Sequence, residues 1–345
     1  MDHARRRITT GMAAAGATAA TAGVAGLGLG GLLGIPSRVH AQAPIKLSLG
    51  HNSPPSSPKG LGASKFAELV AARSDGRIAV QVAPAEQLGN ENSQMGALRV
   101  GSQDLGSLGQ GAMLSIVPEV AVLGLPFLYS TMPKAWEALD GPVGQELAKK
   151  MEEKNLVFLG WWCNGIRHTT NNKRPITRPE DFKGLKIRTP LDPTTVDTFA
   201  AMGASPQQIN YGELYMALQQ GVVDGQENPF ANIYTAKLYE VQKYISFTSH
   251  KYEPTGLIMS AIAWKRLKPA DQDAIRAAAK EATVYQRKAS FDSEEKYLQE
   301  LRKMPSLALN DVDLAPFRQA TEGVWDAWEK KPVGDFVKRL RATRA

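Results

Sequence analysis

Two arginines have the residue type and position best suited to holding an anion. Arg188 ends the run Leu185-Lys186-Ile187-Arg188, where a strand's period of two puts Lys186 and Arg188 on one face and Ile187 on the other. Arg167 follows the apolar stretch Val157–Trp162 through Asn164-Gly165. A guanidinium is a planar fork that grips a carboxylate through two hydrogen bonds, and ligand clefts in open α/β sheets form at strand carboxyl ends. A lone arginine so placed reads more simply as a surface or structural ion pair. Two of them leave both readings open.

Patterns for catalysis are missing. Past the first 41 residues the histidines are His51, His168 and His250, none in an HExxH or HxH pair, and there is no G-x-S-x-G elbow and no phosphate-binding P-loop. Cys163 is the chain's one cysteine. It excludes an intrachain disulfide and a multi-cysteine metal site, and with no base beside it in the sequence it reads as an inert buried thiol. The pairs Glu152-Glu153 and Glu294-Glu295 lie on helical patterns and read as solvated faces. Gly26-Leu-Gly-Leu-Gly-Gly31 matches the dinucleotide fingerprint formally, but lacks the strand before it, the helix after it and the acidic residue further on.

Composition bounds the rest. The 345 residues are 43% hydrophobic and 22% charged, ample for a buried core and unlike a disordered chain. The net charge is +7, but Lys149-Lys150, Lys173-Arg174 and Lys338–Arg344 are scattered and mixed with acids, which is no nucleic-acid footprint. Part of the excess belongs to the first 41 residues. There Arg5, Arg6 and Arg7 precede an uncharged Ala/Gly/Thr/Leu stretch from Ile8 to Ile35, then Pro36 and the small-residue site Val39-His40-Ala41. This is the layout of a cleaved export signal, with cutting expected after Ala41, and the consecutive arginines before a weakly apolar stretch resemble a twin-arginine signal. A membrane anchor is the alternative; its glycines and Pro36 disfavour a packing helix. Removing this segment takes four of 41 basic and one of 34 acidic residues and leaves 304 residues at +4.

The arginines need a scaffold, and the pattern beyond Ala43 supplies an α/β one. Strands are expected at Ile45–Leu49, Ile78–Val82, Asp104–Leu108, Val157–Trp162, Leu185–Arg188, Tyr244–Phe247 and Leu257–Ile262. Helices are expected over 64–73, 92–100 and 213–220, and from the Asp192-Pro193 cap to Gly203. The early strand–helix–strand spacing favours parallel βαβ units. Pro269 to Met304 contains no further proline and no glycine, a helix of roughly 50 Å that must project, coil with a partner or brace two domains.

The stretch from Gly184 to His250, with ELYMALQQGVVDGQENP from Glu213 at its centre, closely resembles the solute-binding proteins of tripartite ATP-independent periplasmic (TRAP) transporters, DctP type. FAELVAARSDGRIAVQVAPAEQLG from Phe66, ALRVGSQDLG from Ala97, VLGLPFLY from Val122 and GIRHTTNNKRPI from Gly165 match the same family in order. The resemblance implies an α/β, two-lobed periplasmic-binding-protein fold (type II-like) with a long helix bracing both lobes. Residues 1–41 would be the export signal, 42–165 and 254–293 the first lobe, 166–253 and 294–345 the second. Arg188 would make the main salt bridge to a ligand carboxylate, Arg167 would support it, and Asn228 and Tyr211 would line the cleft with Asn52, His51 and Gln110. Relatives that use a metal have Trp after the loop glutamate; this chain has Glu227-Asn228, so no metal and no cofactor are expected. Glu227 then reads as an ion-pair partner or a helix cap. The implied protein is a periplasmic monomer that captures an organic acid, such as a sugar acid, C4-dicarboxylate or aromatic acid, for small and large TRAP membrane subunits. A periplasmic sensor on the same fold would share these motifs, and an enzyme on it would need a residue set this chain lacks.

Overall fold

Strand–helix–strand spacing near the start of the chain produces the parallel pairs it predicts. The structure, a computed structural model, describes residues 43–344, so the expected export segment 1–41 lies outside the described residues. In it β1 (Ile45–His51) lies parallel to both β2 (Ile78–Ala83) and β3 (Leu105–Gly109). The connecting helix Pro58–Arg73 starts on Ser57, whose hydroxyl accepts the Gly60 N–H at 3.1 Å, with Pro58 at the first helical position. The next, Glu91–Val100, starts on Asn90 and stops at Gly101, whose φ of 76° a side chain would strain.

A second parallel group comprises β5 (Lys186–Thr189), β6 (Ser205–Gln208) and β7 (Gly225–Asn228), with β5 between the other two. Two long antiparallel strands join the groups: β4 (Leu156–Asn171) and β8 (Tyr244–Ser260). Among the described residues all these strands form one sheet in the order β2-β1-β3-β8-β4-β7-β5-β6, and β9 (Ala308–Asn310) pairs with the start of β8.

The length of β4 and β8 differs from the sequence expectation. Tyr244–Phe247 and Leu257–Ser260 are two ends of one strand, while Ile262 belongs to the helix Ala261–Lys265, capped by the Ser260 hydroxyl. Their pairing is interrupted between Phe158/Gly160, Cys163/Gly165 and Arg167/Thr169. Each interruption resets the inward–outward alternation, so a strict period of two fails across a continuous strand.

Four apolar clusters divide the interior. Leu47, Leu49, Phe66 and Val70 pack with Ile275, Ala278 and Ala282. Leu214, Phe230, Ile233 and Ile245 pack with Leu301. The helix Pro269–Arg302 therefore contributes to both ends of the sheet. Full burial of a side chain such as Ile275 or Leu301 stabilises by roughly 1.5–3 kcal/mol. At its middle, Gln286 accepts the Cys163 N–H at 2.8 Å and donates to the Cys163 carbonyl at 2.7 Å, securing β4 where its pairing breaks. A third cluster sets Trp325 and Phe336 from the C-terminal helices against Val120, Leu139, Leu147 and Phe158. The fourth holds Ile176, Phe182, Ile187 and Phe199 with Phe317. No helix among the described residues is long and apolar enough to cross a membrane.

Candidate ligand-binding site

The carboxyl ends of the parallel strands in both groups meet at one cavity of about 60 Å³. Asn52 follows β1, Gly109 ends β3, Pro190 follows β5, Ile209 follows β6 and Asn228 ends β7, and all five line it. Arg167 and Glu253 reach it from the central strands β4 and β8.

The two arginines differ in their partners. Arg167 is buried and its fork is closed: Nε and Nη2 donate to the Glu227 carboxylate, Nη2 also to the Glu227 carbonyl at 2.6 Å, and Nη1 to Glu253. Burial alone would lower its pKa, but Glu227 and Glu253 outweigh burial and raise it. Glu227 is held below the usual carboxylate range because Arg167 and a hydrogen bond from His250 overcome the opposing effect of burial. Glu227 is thus an ion-pair partner, the first of its two sequence readings.

Arg188 is 2% exposed, yet no carboxylate among the described residues forms an ion pair with it. Its Nε donates to the Ile209 carbonyl at 2.8 Å and its guanidinium carbon lies 6.0 Å from the centre of the Tyr211 ring. Burial pulls its pKa from the ordinary 12.5 to about 10; Glu227 acts to raise it and the charge of Arg167 to lower it further. Both terminal nitrogens are available to a ligand. A buried cation in that condition stabilises a bound anion because the anion relieves its lost hydration.

Around it runs a chain of amides. Asn228 donates to Gln226 at 2.5 Å and accepts from Asn232 at 3.0 Å; Asn232 donates to Asn164 at 3.2 Å, and Asn164 donates to Glu253 at 2.6 Å. The Tyr211 hydroxyl is buried without a partner. Asn52 accepts from Lys59 at 2.8 Å, which leaves its amide hydrogens as donors.

Arg188, Arg167, Asn228, Tyr211 and Asn52 all line the cavity, whereas His51 and Gln110 do not. His51 ends β1 and is buried, its Nδ1 accepting the Ser53 N–H at 3.3 Å; burial and the charge of Lys59 pull its pKa to about 3, so it is neutral. Gln110 is buried and turned to donate to the Ala121 carbonyl at 3.1 Å. Sequence reasoning passed over Lys59, Glu86, Glu91 and Glu253, which also line the cavity. Only the third dimension reveals them, because Lys59 and Glu91 open helices and Glu253 sits within a long strand. Glu294 departs from its expected solvated face: its Oε1 is buried without a partner, and its pKa rises to about 8 because burial outweighs the Phe230 and Ala231 N–H groups.

Known proteins share this sequence and fold. The model of the bacterial extracellular solute-binding protein family 7, DctP, matches residues 49–331. An uncharacterized protein of Sinorhizobium fredii is 49% identical over 85% of this chain, which spans 54% of that protein's own length. The crystal structure of a TRAP periplasmic solute-binding protein from Polaromonas sp. JS666 superimposes with a TM-score of 0.84 at 36% identity, covering 87% of this chain and 99% of that one. One from Sulfurospirillum deleyianum does so with a TM-score of 0.84 at 34% identity and the same coverage. These structural relatives are binding proteins, not enzymes. With its two parallel strand groups, shared spine and central cavity, this chain belongs to the bacterial extracellular solute-binding proteins of family 7.

Proposed function

We propose that this protein is the periplasmic solute-binding subunit of a TRAP transporter, holding an organic acid in the central cavity and delivering it to small and large membrane subunits. The observation that carries the reading is Arg188, a guanidinium buried in a polar cavity without a carboxylate partner. The Polaromonas relative is described with bound D-erythronate and the Sulfurospirillum relative with succinate, both carboxylates. Arg188 forms the salt bridge, Tyr211, Asn228 and Asn52 orient the ligand, and Arg167 fixes the wall beside it.

The cavity lies between two lobes, one built on β1–β3 and the other on β5–β7, which close on the ligand as a monomer. The C-terminal helices bearing Trp325 and Phe336 pack against Leu139 and Leu147 of the first lobe, while Trp328 donates to Asp197 of the second at 2.8 Å. Residues 1–41 direct export through the twin-arginine route.

A thermal-shift screen of organic acids, followed by calorimetry of wild type and Arg188→Ala, tests the reading. Truncating one partner of a buried charged pair costs roughly 2–5 kcal/mol, about 30- to several-thousand-fold in affinity. Unchanged affinity in Arg188→Ala overturns it. Solution scattering checks closure: a radius of gyration unmoved by a bound ligand speaks against the two-lobe clamp.

A further inference from the structure

The cations around the cavity are paired with carboxylates, with a single exception. Arg167 is paired with Glu227 and Glu253, Lys251 with Asp192 at 2.6 Å, and Lys59 with Glu91 at 3.3 Å. Arg188 alone among these cations has no carboxylate contact. The remaining polar side chains are asparagine amides, the Tyr211 hydroxyl and the acids Glu86 and Glu91. None of them is a second unmatched cation.

Glu86 occupies a defined place on this wall. It follows β2 on a turn where Ala85 and Glu86 both have left-handed backbone, φ 51° and 60°, conformations that L-residues hold only when their surroundings enforce them. The turn is fixed by Ala85 N–H to Ser53 carbonyl at 3.1 Å and Glu86 N–H to His51 carbonyl at 3.0 Å. From there the Glu86 carboxylate sits against Gly212, the residue after Tyr211, so close that a Cβ on Gly212 would lie 2.3 Å from Oε2. An acid carried by the β1–β3 group is therefore fixed against the segment that follows β6, facing the same cavity as Arg188.

We infer that the cavity selects a short monocarboxylate bearing hydroxyl groups and turns away dicarboxylates, with Glu86 as a specificity-determining residue. The inference rests on the reading that Arg188 binds a carboxylate. One carboxylate satisfies the one unmatched guanidinium. A second would lie among amides and beside Glu86 and Glu91, where like charges repel strongly at reduced dielectric. Hydroxyls suit those partners, since each can donate to a glutamate or an amide oxygen and accept from an amide N–H.

The test compares acids of three and four carbons. Calorimetry on the purified protein, freed of carried-over ligand by partial unfolding and refolding, is run with D-erythronate, L-threonate and D-glycerate against succinate and L-malate. The expected result is that at least one hydroxylated monocarboxylate binds at least 100-fold tighter than either dicarboxylate. Glu86→Gln, which keeps the side chain's size and removes its charge, should narrow that gap at least tenfold, with the ligand-free melting temperature checking its fold. Succinate or L-malate binding as tightly as the best monocarboxylate overturns the inference while leaving Arg188's role standing. A gap unchanged in Glu86→Gln overturns the role of Glu86. Tighter binding of L-homoserine than of all the hydroxy acids would assign the acidic wall to an ammonium group and overturn the hydroxyl assignment. Absence of binding by every acid tested overturns both this inference and the carboxylate reading beneath it.

Discussion

Replacing each arginine by methionine should move stability in opposite directions, because one guanidinium is matched and the other is not. Arg188 is held near pKa 10 against an ordinary 12.5, which at about 1.4 kcal/mol per tenfold places about 3 kcal/mol of unrelieved charge burial in the ligand-free protein. A base whose folded value is lowered carries this penalty in full at neutral pH, and the penalty is relieved only as pH rises past that folded value. Methionine keeps much of the stem's packing and removes the charge, at the loss of one hydrogen bond to Ile209 worth about 1 kcal/mol. Ligand-free Arg188→Met should therefore gain about 1–2 kcal/mol, a rise of roughly 2–4 °C in melting temperature. Arg167→Met leaves Glu227 and Glu253 buried without their cation and should lose about 3–5 kcal/mol. Scanning calorimetry at pH 7, without ligand and then with a saturating carboxylate, measures both. The Arg188 variant should start higher and show no ligand-induced rise; the Arg167 variant should start lower. If ligand-free Arg188→Met melts as low as Arg167→Met, Arg188 is a structural residue and the reasoning fails.

Tyr211→Phe removes a buried hydroxyl that has no protein partner, so ligand-free stability should be unchanged or slightly higher while affinity falls roughly 2- to 12-fold by calorimetry. Gln286→Ala strips the Cys163 N–H and carbonyl of their side-chain partner and should cost about 2–4 kcal/mol, read as a lower urea midpoint. Glu294 has its folded pKa raised to about 8 from 4.5, so the folded protein keeps a proton that the unfolded chain releases between those values. Its contribution therefore falls as pH rises through that window, and Glu294→Gln should flatten the decline in urea midpoint between pH 5 and pH 8. An identical slope in wild type and variant would remove Glu294 from the account.

Local rules made much of this scaffold legible in the sequence. Asp192-Pro193 announced a helix start that Pro193–Ala201 follows, and Gly101 a stop that its φ of 76° explains. The unbroken run after Pro269 gave the long helix, because nothing in it lacks an N–H or favours the left-handed region. What local rules could not give was pairing. The strand ending in Asn228 is only Gly225–Asn228, all polar after its glycine and wholly buried between β4 and β5, so no alternation marks it. At the site the arginines were legible as a type but not as a pair of different states. Arg167 meets Glu227 and Glu253 across separations of 60 and 86 residues, and only register brings those carboxylates to it.

That register also explains why a cavity with one active cation needs so many charges around it. Arg167 lies on β4 beside the cavity, and its charge acts to lower the pKa of Arg188, as like charges do. Left unmatched, it would compete with Arg188 for the ligand and raise the strain of holding both charged. Glu227, one residue before the site's Asn228, closes the Arg167 fork, and its charge raises the pKa of Arg188. Glu253, two residues beyond Lys251 on β8, takes the remaining Arg167 contact and donations from Asn164. The acids that hold the central strands together thus also shield the one guanidinium that remains. A ligand carboxylate entering this cavity meets a local field set mainly by Arg188, with polarity everywhere else supplied by amides and acids fixed in place by the same strands.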